Sequence, residues 1–315
     1  MRKIAVYLTI VLIITIFVPT VIVKTFNFVP ISNTVEGQSL EKRYPIRPVK
    51  EEPMVVEEKK VDRIKVYNTN TKKTESMPLD EYVKGVVAAE MPAAFHIEAL
   101  KAQAIAARTY AISRSIKFEN GHPDHPDAPL CTKEHCQAYL SLDDLQKIHG
   151  DSWVEDYWGK IEEAVDSTES LVIYYEGELV EPLYHSTSGG MTEDAINVFA
   201  VDSPYFKAVE SPYEEGSPRF RTVLNLTVDE FINKLKNKYP NIKIDKDNFH
   251  EKIKLVEKTG SGRVKKIAID NEIINGRDIR DLYGLDSTNF TIVFDKKLSL
   301  IEIETYGYGH GVGMS

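Results

Sequence analysis

Apolar residues recur at helical spacing between positions 79 and 90, and this stretch organises the rest of the chain. The apolar face is formed by Leu79, Tyr82, Val83, Val86 and Val87. Glu90 comes four residues after Val86 and therefore falls on the same face. Pro92 then predicts the end of the helix, because proline disfavours the helical conformation in the residue before it.

A carboxylate at the end of an apolar stripe is costly to ionise. Burial would raise its pKa, so Glu90 is a candidate general acid near neutral pH. The alternative is a terminal glutamate that turns out to solvent or pairs with a basic side chain.

Two further elements flank this helix. Residues 63–68 alternate like a half-buried strand, and 69–74 resemble a turn. A second, alanine-rich helix is predicted from about Ile97 to Phe118, with Lys101 and Arg108 on one stripe. A solvated basic stripe is the alternative reading of these two side chains.

The N-terminal region predicts export. Residues 4–23 carry no charge and suit a transmembrane helix, and 1–3 form a basic tip expected to stay cytoplasmic. An unusually long cleaved signal is the alternative. Residues 24–61 are rich in proline and mixed charge and predict an extended stalk. The body of the protein is therefore expected outside the cytoplasm.

Composition narrows the classes of partner. The 315 residues are 42% hydrophobic, which is enough for one large or two modest domains. The formal net charge is −9 and no basic block occurs, so nucleic-acid binding is disfavoured. With two cysteines, the core does not depend on disulfides.

Residues 121–136 form a proline-rich loop that holds three histidines and both cysteines. His125, Cys131, His135 and Cys136 offer two nitrogen and two sulfur ligands, a tetrahedral zinc set. All four positions would be filled by protein, which indicates a structural site. The alternative is a disulfide between the two cysteines, which an exported protein permits.

The second half of the chain adds two glycine-containing segments. Residues 185–194, H-S-T-S-G-G-M-T-E-D, are typical of a loop that contacts a polar ligand, or of a plain structural turn. A capping box at Thr227–Glu230 opens a helix within a smaller α+β subdomain, 221–300. Residues 301–315 end in alternate glycines around His310 and are expected to return to the core at 62–220. The fold class expected is α+β, with mixed helices and antiparallel strands around a substrate groove.

Several motifs occur together in a characteristic order: E-Y-V-K-G-V-V-A-A-E-M-P, K-A-Q-A-I-A-A-R-T-Y-A, H-S-T-S-G-G-M-T-E, G-R-D-I-R-D-L-Y-G-L-D-S-T-N-F and G-H-G-V-G-M-S. From about residue 64 onward the chain resembles the stage II sporulation protein D and amidase-enhancer family. The resemblance implies a membrane-anchored lytic transglycosylase that cleaves peptidoglycan strands stripped of stem peptides during engulfment in sporulation. It also implies two partners, the amidase stage II sporulation protein P and stage II sporulation protein M.

The resemblance also assigns roles to residues. It places the catalytic glutamate of the A-A-E-M-P motif at Glu90. The expected substrate contacts are Lys101, Gln103, Arg108, Tyr110, His185, Ser188, Gly189, Glu193 and His310. Some family members hold zinc in the loop corresponding to 121–136. Members usually continue past G-H-G-V-G-M-S with Q-Y-G-A and a terminal helix, so either the sequence is truncated at Ser315 or that last element is missing.

Two other functions are compatible with these residues. A non-enzymatic glycan-binding module would stimulate a cell-wall amidase without producing new glycan ends. A zinc peptidase or amidase would need an open metal position, and the four-ligand set argues against one.

Overall fold

The computed structural model describes residues 61–315, and the predicted membrane helix at 4–23 lies outside that range. The helices are α1 (Leu79–Glu90), α2 (Ile97–Lys117), α3 (Leu142–His149), α4 (Asp151–Trp153), α5 (Gly159–Asp166), α6 (Ala195–Phe199), α7 (Val228–Lys238), α8 (Phe249–Lys252) and α9 (Gly276–Tyr283), with a π-helical turn at Val154–Trp158. The strands are β1 (Arg63–Asn68), β2 (Lys73–Pro78), β3 (Leu130–Cys131), β4 (Tyr174–Tyr175), β5 (Glu178–Leu179), β6 (Arg221–Thr227), β7 (Ile253–Lys258), β8 (Val264–Ile269), β9 (Glu272–Asn275), β10 (Phe290–Asp295) and β11 (Leu300–Tyr306).

The fold is α+β, as predicted. Helices are interspersed with largely antiparallel sheets along the chain, with strand orders β2-β1-β3, β10-β11-β6 and β7-β8-β9 and a β4–β5 pair. Only β1 and β3 run parallel among the described strands. No helix within residues 61–315 combines the length and apolar character that crossing a bilayer would require.

The first core joins α1, α2 and α5 to one face of the β1 sheet. Leu79, Val83 and Val87 of α1 are buried in it, so the predicted apolar stripe faces the protein interior. The helix begins and ends where the sequence predicts. Met91 has an extended backbone (φ −131°), and Pro92 follows it.

The second core is built from residues 228–303. The sheet β10-β11-β6 and the meander β7-β8-β9 pack with α7 and α9 around Phe231, Ile279 and Ile303. The predicted capping box is formed: the Thr227 side chain accepts from Glu230 N, and the Glu230 carboxylate accepts from Thr227 N.

Some local predictions were wrong. The predicted turn at 69–74 already contains the start of β2, and α3 was missed although it has its own capping box at Ser141 and Asp144. The strands β4 and β5 are only two residues long each. Pro182 lacks the N–H that a longer ladder would need.

The C-terminal segment runs along residues 183–188. Bridges pair Tyr184 with Met314 and Thr187 with Tyr308. Gly313 allows this close approach, because a Cβ there would lie 2.0 Å from the Leu183 carbonyl oxygen and the backbone φ is +81°. The alternate glycines thus bring His310 beside the loop that begins at His185.

Candidate active site

A cleft of about 760 Å³ opens where α1 ends. Its wall includes Glu90 and side chains from four separate parts of the chain: α2, the cysteine-histidine loop, residues 182–187 and the C-terminal segment. Phe95 and Phe199 line the cleft and are exposed, which gives it apolar surface beside its polar groups. A cleft that mixes apolar surface with a few convergent polar groups is typical of a ligand site.

Glu90 is half-buried in this wall. Its Oε1 accepts a hydrogen bond from the backbone N–H of Ala138 at 2.7 Å. Burial raises the pKa of Glu90, and the nearby Glu134 carboxylate raises it further. Hydrogen bonds from Ala138 N and from the Tyr184 side chain lower the pKa, but burial prevails. The direction of the shift agrees with the sequence prediction.

The segment that carries Ala138 reaches Glu90 because α1 has a glycine at the crossing point. A Cβ on Gly85 would lie 2.4 Å from the Tyr139 ring and 2.7 Å from the Leu140 carbonyl oxygen. Leu140 N donates to the Gly85 carbonyl at 3.3 Å. Gly85 therefore lets residues 138–140 lie directly on α1, with Ala138 N aimed at the carboxylate.

A buried polar chain stands behind Glu90. The Tyr82 hydroxyl donates to Gln137 Oε1 at 3.3 Å, and Gln137 Nε2 donates to the Tyr184 hydroxyl at 3.0 Å. The Tyr184 side chain in turn lies close enough to the Glu90 carboxylate to lower its pKa. Sequence reasoning missed Gln137 and Tyr184, because each is remote from Glu90 in sequence and neither belongs to a helical or strand pattern that points to it.

Two histidines in the wall are held neutral. Burial lowers the pKa of His185 and of His310 to about 4 each. His185 Nδ1 donates to the Val312 carbonyl at 3.1 Å, which leaves Nε2 as an acceptor. His310 Nδ1 accepts from Val312 N at 3.0 Å, which leaves its Nε2–H as a donor. His310 thus offers a donor, whereas the acceptor Nε2 of His185 is buried and has no partner among the described residues.

The four predicted zinc ligands come together beside the cleft. The ligand atoms of His125, Cys131, His135 and Cys136 all lie within 4.8 Å of one another. Cys136 Sγ is 3.4 Å from His125 Nε2 and 3.4 Å from His135 Nδ1, and both thiols are free. These separations match the sulfur–nitrogen edges of a zinc tetrahedron, roughly 3.6 Å from ordinary Zn–S and Zn–N lengths.

The outer nitrogens of both imidazoles also fit a metal site. His125 Nδ1 is 2.8 Å from the Ala128 carbonyl oxygen, so Nε2 is free to face the thiols. His135 Nε2 is 3.0 Å from Asp124 Oδ2, so Nδ1 is free. Second-shell carbonyl and carboxylate partners of this kind fix the tautomer of metal-bound histidines. The donor set therefore fits zinc.

The two thiols are electrostatically linked. The hydrogen bond between them lowers the pKa of Cys131 to about 5 and raises that of Cys136. The lowered pKa of Cys131 favours a thiolate in this pair, and the thiolate is the form that binds metal.

The cleft wall includes several predicted substrate contacts. Gln103, Tyr110, His185 and His310 all line it together with Glu90. Lys101 does not line it and instead pairs with Glu98 on the same helix at 2.9 Å.

Arg108 requires a correction. It is 1% exposed, and its guanidinium donates to the Thr168 and Val165 carbonyls at 2.8 and 3.0 Å and to Asp80 at 3.1 Å. All of its nitrogens are engaged inside the protein, so it ties α2 to the end of α5 and has no donor left for a substrate.

Ser188 and Gly189 are also corrected. Neither lines the cleft, and both donate to Glu214 Oε2, from the Ser188 hydroxyl at 2.7 Å and from Gly189 N at 2.9 Å. Burial alone would raise the pKa of Glu214, but hydrogen bonds from Ser315 and this loop lower it to about 2. Glu214 is a loop anchor that sequence reasoning did not identify.

Glu193 lies outside this cleft and lines a second one. Its carboxylate is 1% exposed and accepts from the hydroxyls of Thr259 and Ser261 at 2.6 and 2.7 Å and from Asn197 Nδ2 at 2.9 Å. Burial would raise its pKa, but these hydrogen bonds lower it. Glu193 therefore holds the 259–261 turn against the loop.

Comparisons with known proteins show which family this chain is similar to. The family model described as "SpoIID: Stage II sporulation protein" matches residues 67–175, which include Glu90 and the cysteine-histidine loop. The chain is 35% identical to Stage II sporulation protein D of Bacillus subtilis (strain 168) over 318 residues, covering 100% of this chain and 88% of that protein. It is 32% identical to the protein of the same name from Bacillus amyloliquefaciens, covering 95% and 84%.

A more distant relative carries a different name. The Amidase enhancer of Bacillus subtilis (strain 168) is 27% identical over 281 residues, which is 74% of this chain and 36% of that protein.

Proposed function

Since this chain belongs to the stage II sporulation protein D family, which acts in sporulation, we propose that it is a lytic transglycosylase. The substrate is the MurNAc–GlcNAc linkage of peptidoglycan strands stripped of their stem peptides. The observation that carries the proposal is Glu90: a half-buried carboxyl with a raised pKa, in the wall of a cleft large enough for sugar rings.

In the first step, protonated Glu90 donates its proton to the glycosidic oxygen. The GlcNAc side leaves as an alcohol, and the MurNAc N-acetyl oxygen shares the positive charge that develops at the anomeric carbon. The raised pKa keeps Glu90 protonated closer to neutral pH than an ordinary glutamate.

In the second step, ionised Glu90 accepts the proton of the MurNAc C6 hydroxyl. The C6 oxygen forms a bond to the anomeric carbon, which yields a 1,6-anhydro ring without consuming water. One carboxyl serves as acid and then as base, so this scheme needs no second catalytic carboxylate. Ala138 N and Tyr184 stabilise the ionised form between the steps.

The test is product analysis with a Glu90→Gln variant. Wild-type protein should release 1,6-anhydro-MurNAc ends from stripped strands, detected by mass spectrometry, and Glu90→Gln should release none. Glu163→Gln is the matched control, because Glu163 is exposed on α5 and lines neither cleft. Normal turnover by Glu90→Gln, or reducing MurNAc ends in place of anhydro ends, would overturn the proposal.

Zinc is the proposed structural cofactor, held by His125, Cys131, His135 and Cys136. Support comes from the clustered ligand atoms and from the acceptors bonded to the outer imidazole nitrogens. The metal would cross-link the loop that leads into Ala138.

Localisation and partners are proposed from the family and the N-terminal sequence. The uncharged stretch at 4–23 would anchor the protein in the membrane, with residues 24–61 as a stalk and the described domain outside the cytoplasm. Stage II sporulation protein P would supply stripped strands as the amidase, and stage II sporulation protein M would join the same complex.

A second candidate function is stimulation of a cell-wall amidase without catalysis. The relative named Amidase enhancer favours it. This function predicts that the protein binds glycan strands and raises amidase turnover, and that Glu90→Gln retains both effects. The anhydro-product assay separates the two candidates.

A further inference from the structure

A second cleft of about 620 Å³ adjoins the one that contains Glu90. The two clefts share His310 and Phe199 in their walls. A glycan strand bound in the first cleft can therefore place a substituent in the second cleft. The cationic side chains that line the second cleft are Arg263, Lys265, Lys266, Arg277 and Arg280. Its lining carboxylates are Glu193, Asp278 and Asp281.

Two of these cations have free donor groups. Arg277 and Arg280 are three residues apart on α9 and therefore share one face of that helix. Within residues 61–315, Arg277 is exposed and makes no hydrogen bond or ion pair. Arg280 is half-buried and donates only Nε–H, to the Leu285 carbonyl at 3.3 Å, so its terminal nitrogens are available.

A third arginine lies deeper in the cleft wall. Arg263 is 1% exposed and donates to the Met191 and Ser188 carbonyls at 2.9 and 2.7 Å. Its Nε–H is buried and has no acceptor among the described residues. Arg263 therefore contributes positive charge to the cleft wall but no accessible donor.

The carboxylates of the wall do not neutralise these arginines. Glu193 is occupied by hydroxyl and amide donors, and Asp278 pairs with Lys238 at 3.1 Å. Asp281 is exposed. Lys265 and Lys266 both pair with Glu257, at 2.7 and 3.5 Å. The lining side chains carry five positive and three negative charges, so the wall keeps a net charge of +2, and Arg277 and Arg280 hold the donors left free for a ligand.

We propose that Arg277 and Arg280 form a carboxylate subsite that binds the free lactyl group of peptide-stripped MurNAc. The inference rests on the proposed function and deepens it by giving the preference for stripped strands a physical basis. An attached stem peptide converts the lactyl carboxylate into a neutral amide and adds bulk. Removal of the peptide restores an anion that an arginine fork binds through charge-assisted hydrogen bonds.

The test compares binding of two ligands in the Glu90→Gln background, where strands are not consumed. One ligand is amidase-stripped glycan, and the other is the same glycan with its lactyl carboxylates converted to methylamides. Arg277→Gln/Arg280→Gln should weaken binding of the first ligand at least about tenfold and leave the second unchanged. Arg63→Gln is the matched control, because Arg63 is exposed on β1 and lines neither cleft.

The binding results for the two ligands decide whether the carboxylate subsite exists. Equal loss for both ligands, or no loss for either, would overturn the subsite. If the double variant fails to fold, the exposed Arg277→Gln alone should still reduce the ratio of the two affinities. If Glu90→Gln leaves turnover intact while charge-dependent binding persists, the transglycosylase proposal fails and the carboxylate subsite stands.

Discussion

Replacement of Arg108 by methionine separates a structural role from substrate binding. The substitution removes a buried guanidinium that serves the carbonyls of Thr168 and Val165 and the carboxylate of Asp80. Both carbonyls keep a backbone donor, Leu171 N for Thr168 and Thr168 N for Val165, so each loses one charge-assisted hydrogen bond, which contributes about 1.5–3 kcal/mol. The Asp80 side chain is 39% exposed, so loss of that ion pair adds no more than about 1 kcal/mol.

The expected loss is therefore about 3–7 kcal/mol in the free energy of unfolding, a large share of the roughly 5–15 kcal/mol of an ordinary domain. Urea denaturation followed by tryptophan fluorescence measures it, because Trp153 and Trp158 both pack against the first core. Lys101→Met is the control. Its ion pair with Glu98 lies on the surface and contributes about 0–1 kcal/mol.

Kinetics on the folded fraction complete the test. At low temperature, where Arg108→Met remains folded, the KM for stripped strands should be that of the wild type. A variant of normal stability with a raised KM would refute the structural assignment and restore Arg108 to the substrate site.

Three further predictions concern Glu90 and its supports. Removal of the proposed zinc by a chelator should lower both Tm and turnover, because Cys136 is two residues from Ala138, whose N–H donates to Glu90. The same chelator presaturated with zinc should lower neither. Glu90→Gln should be more stable than the wild type at neutral pH. Burial raises the pKa of Glu90 in the folded protein above its ordinary value of 4.5. The wild type therefore loses stability as pH rises from 4.5 through the folded-state pKa, whereas the glutamine variant does not. Thermal melts of both proteins should converge below pH 4.5, and a constant difference at all pH values would contradict this. Tyr184→Phe removes a hydrogen bond that lowers the pKa of Glu90, so the alkaline limb of the pH–rate profile should move to higher pH; an unchanged or lower limb would exclude the contact.

Short sequence patterns predicted the elements whose conformation depends on interactions between neighbouring residues. The apolar stripe, the carboxylate at its end and Pro92 predicted α1 to the residue, because helical spacing and the restriction before proline act within a few positions. The capping box at Thr227 and Glu230 is likewise complete within one turn. The zinc-type ligands could also be found this way, since all four lie within one short loop.

Tertiary contacts decided which polar side chains face the cleft. Arg108 and Lys101 share one stripe in the sequence, yet α5 packs over Arg108 and buries it, while Lys101 stays near the surface with Glu98. Ser188 and Gly189 were predicted as ligand contacts, but Glu214, 26 positions from Ser188, occupies their donors.

The same separation explains the groups that sequence reasoning missed. Tyr184 reaches Glu90 across almost a hundred positions, and no periodicity couples residues so far apart in the chain. A side chain's type and spacing determine which chemistry it offers. Whether a polar side chain contacts a ligand or another part of the protein depends on which distant segments pack against it. Only the tertiary structure determines that packing.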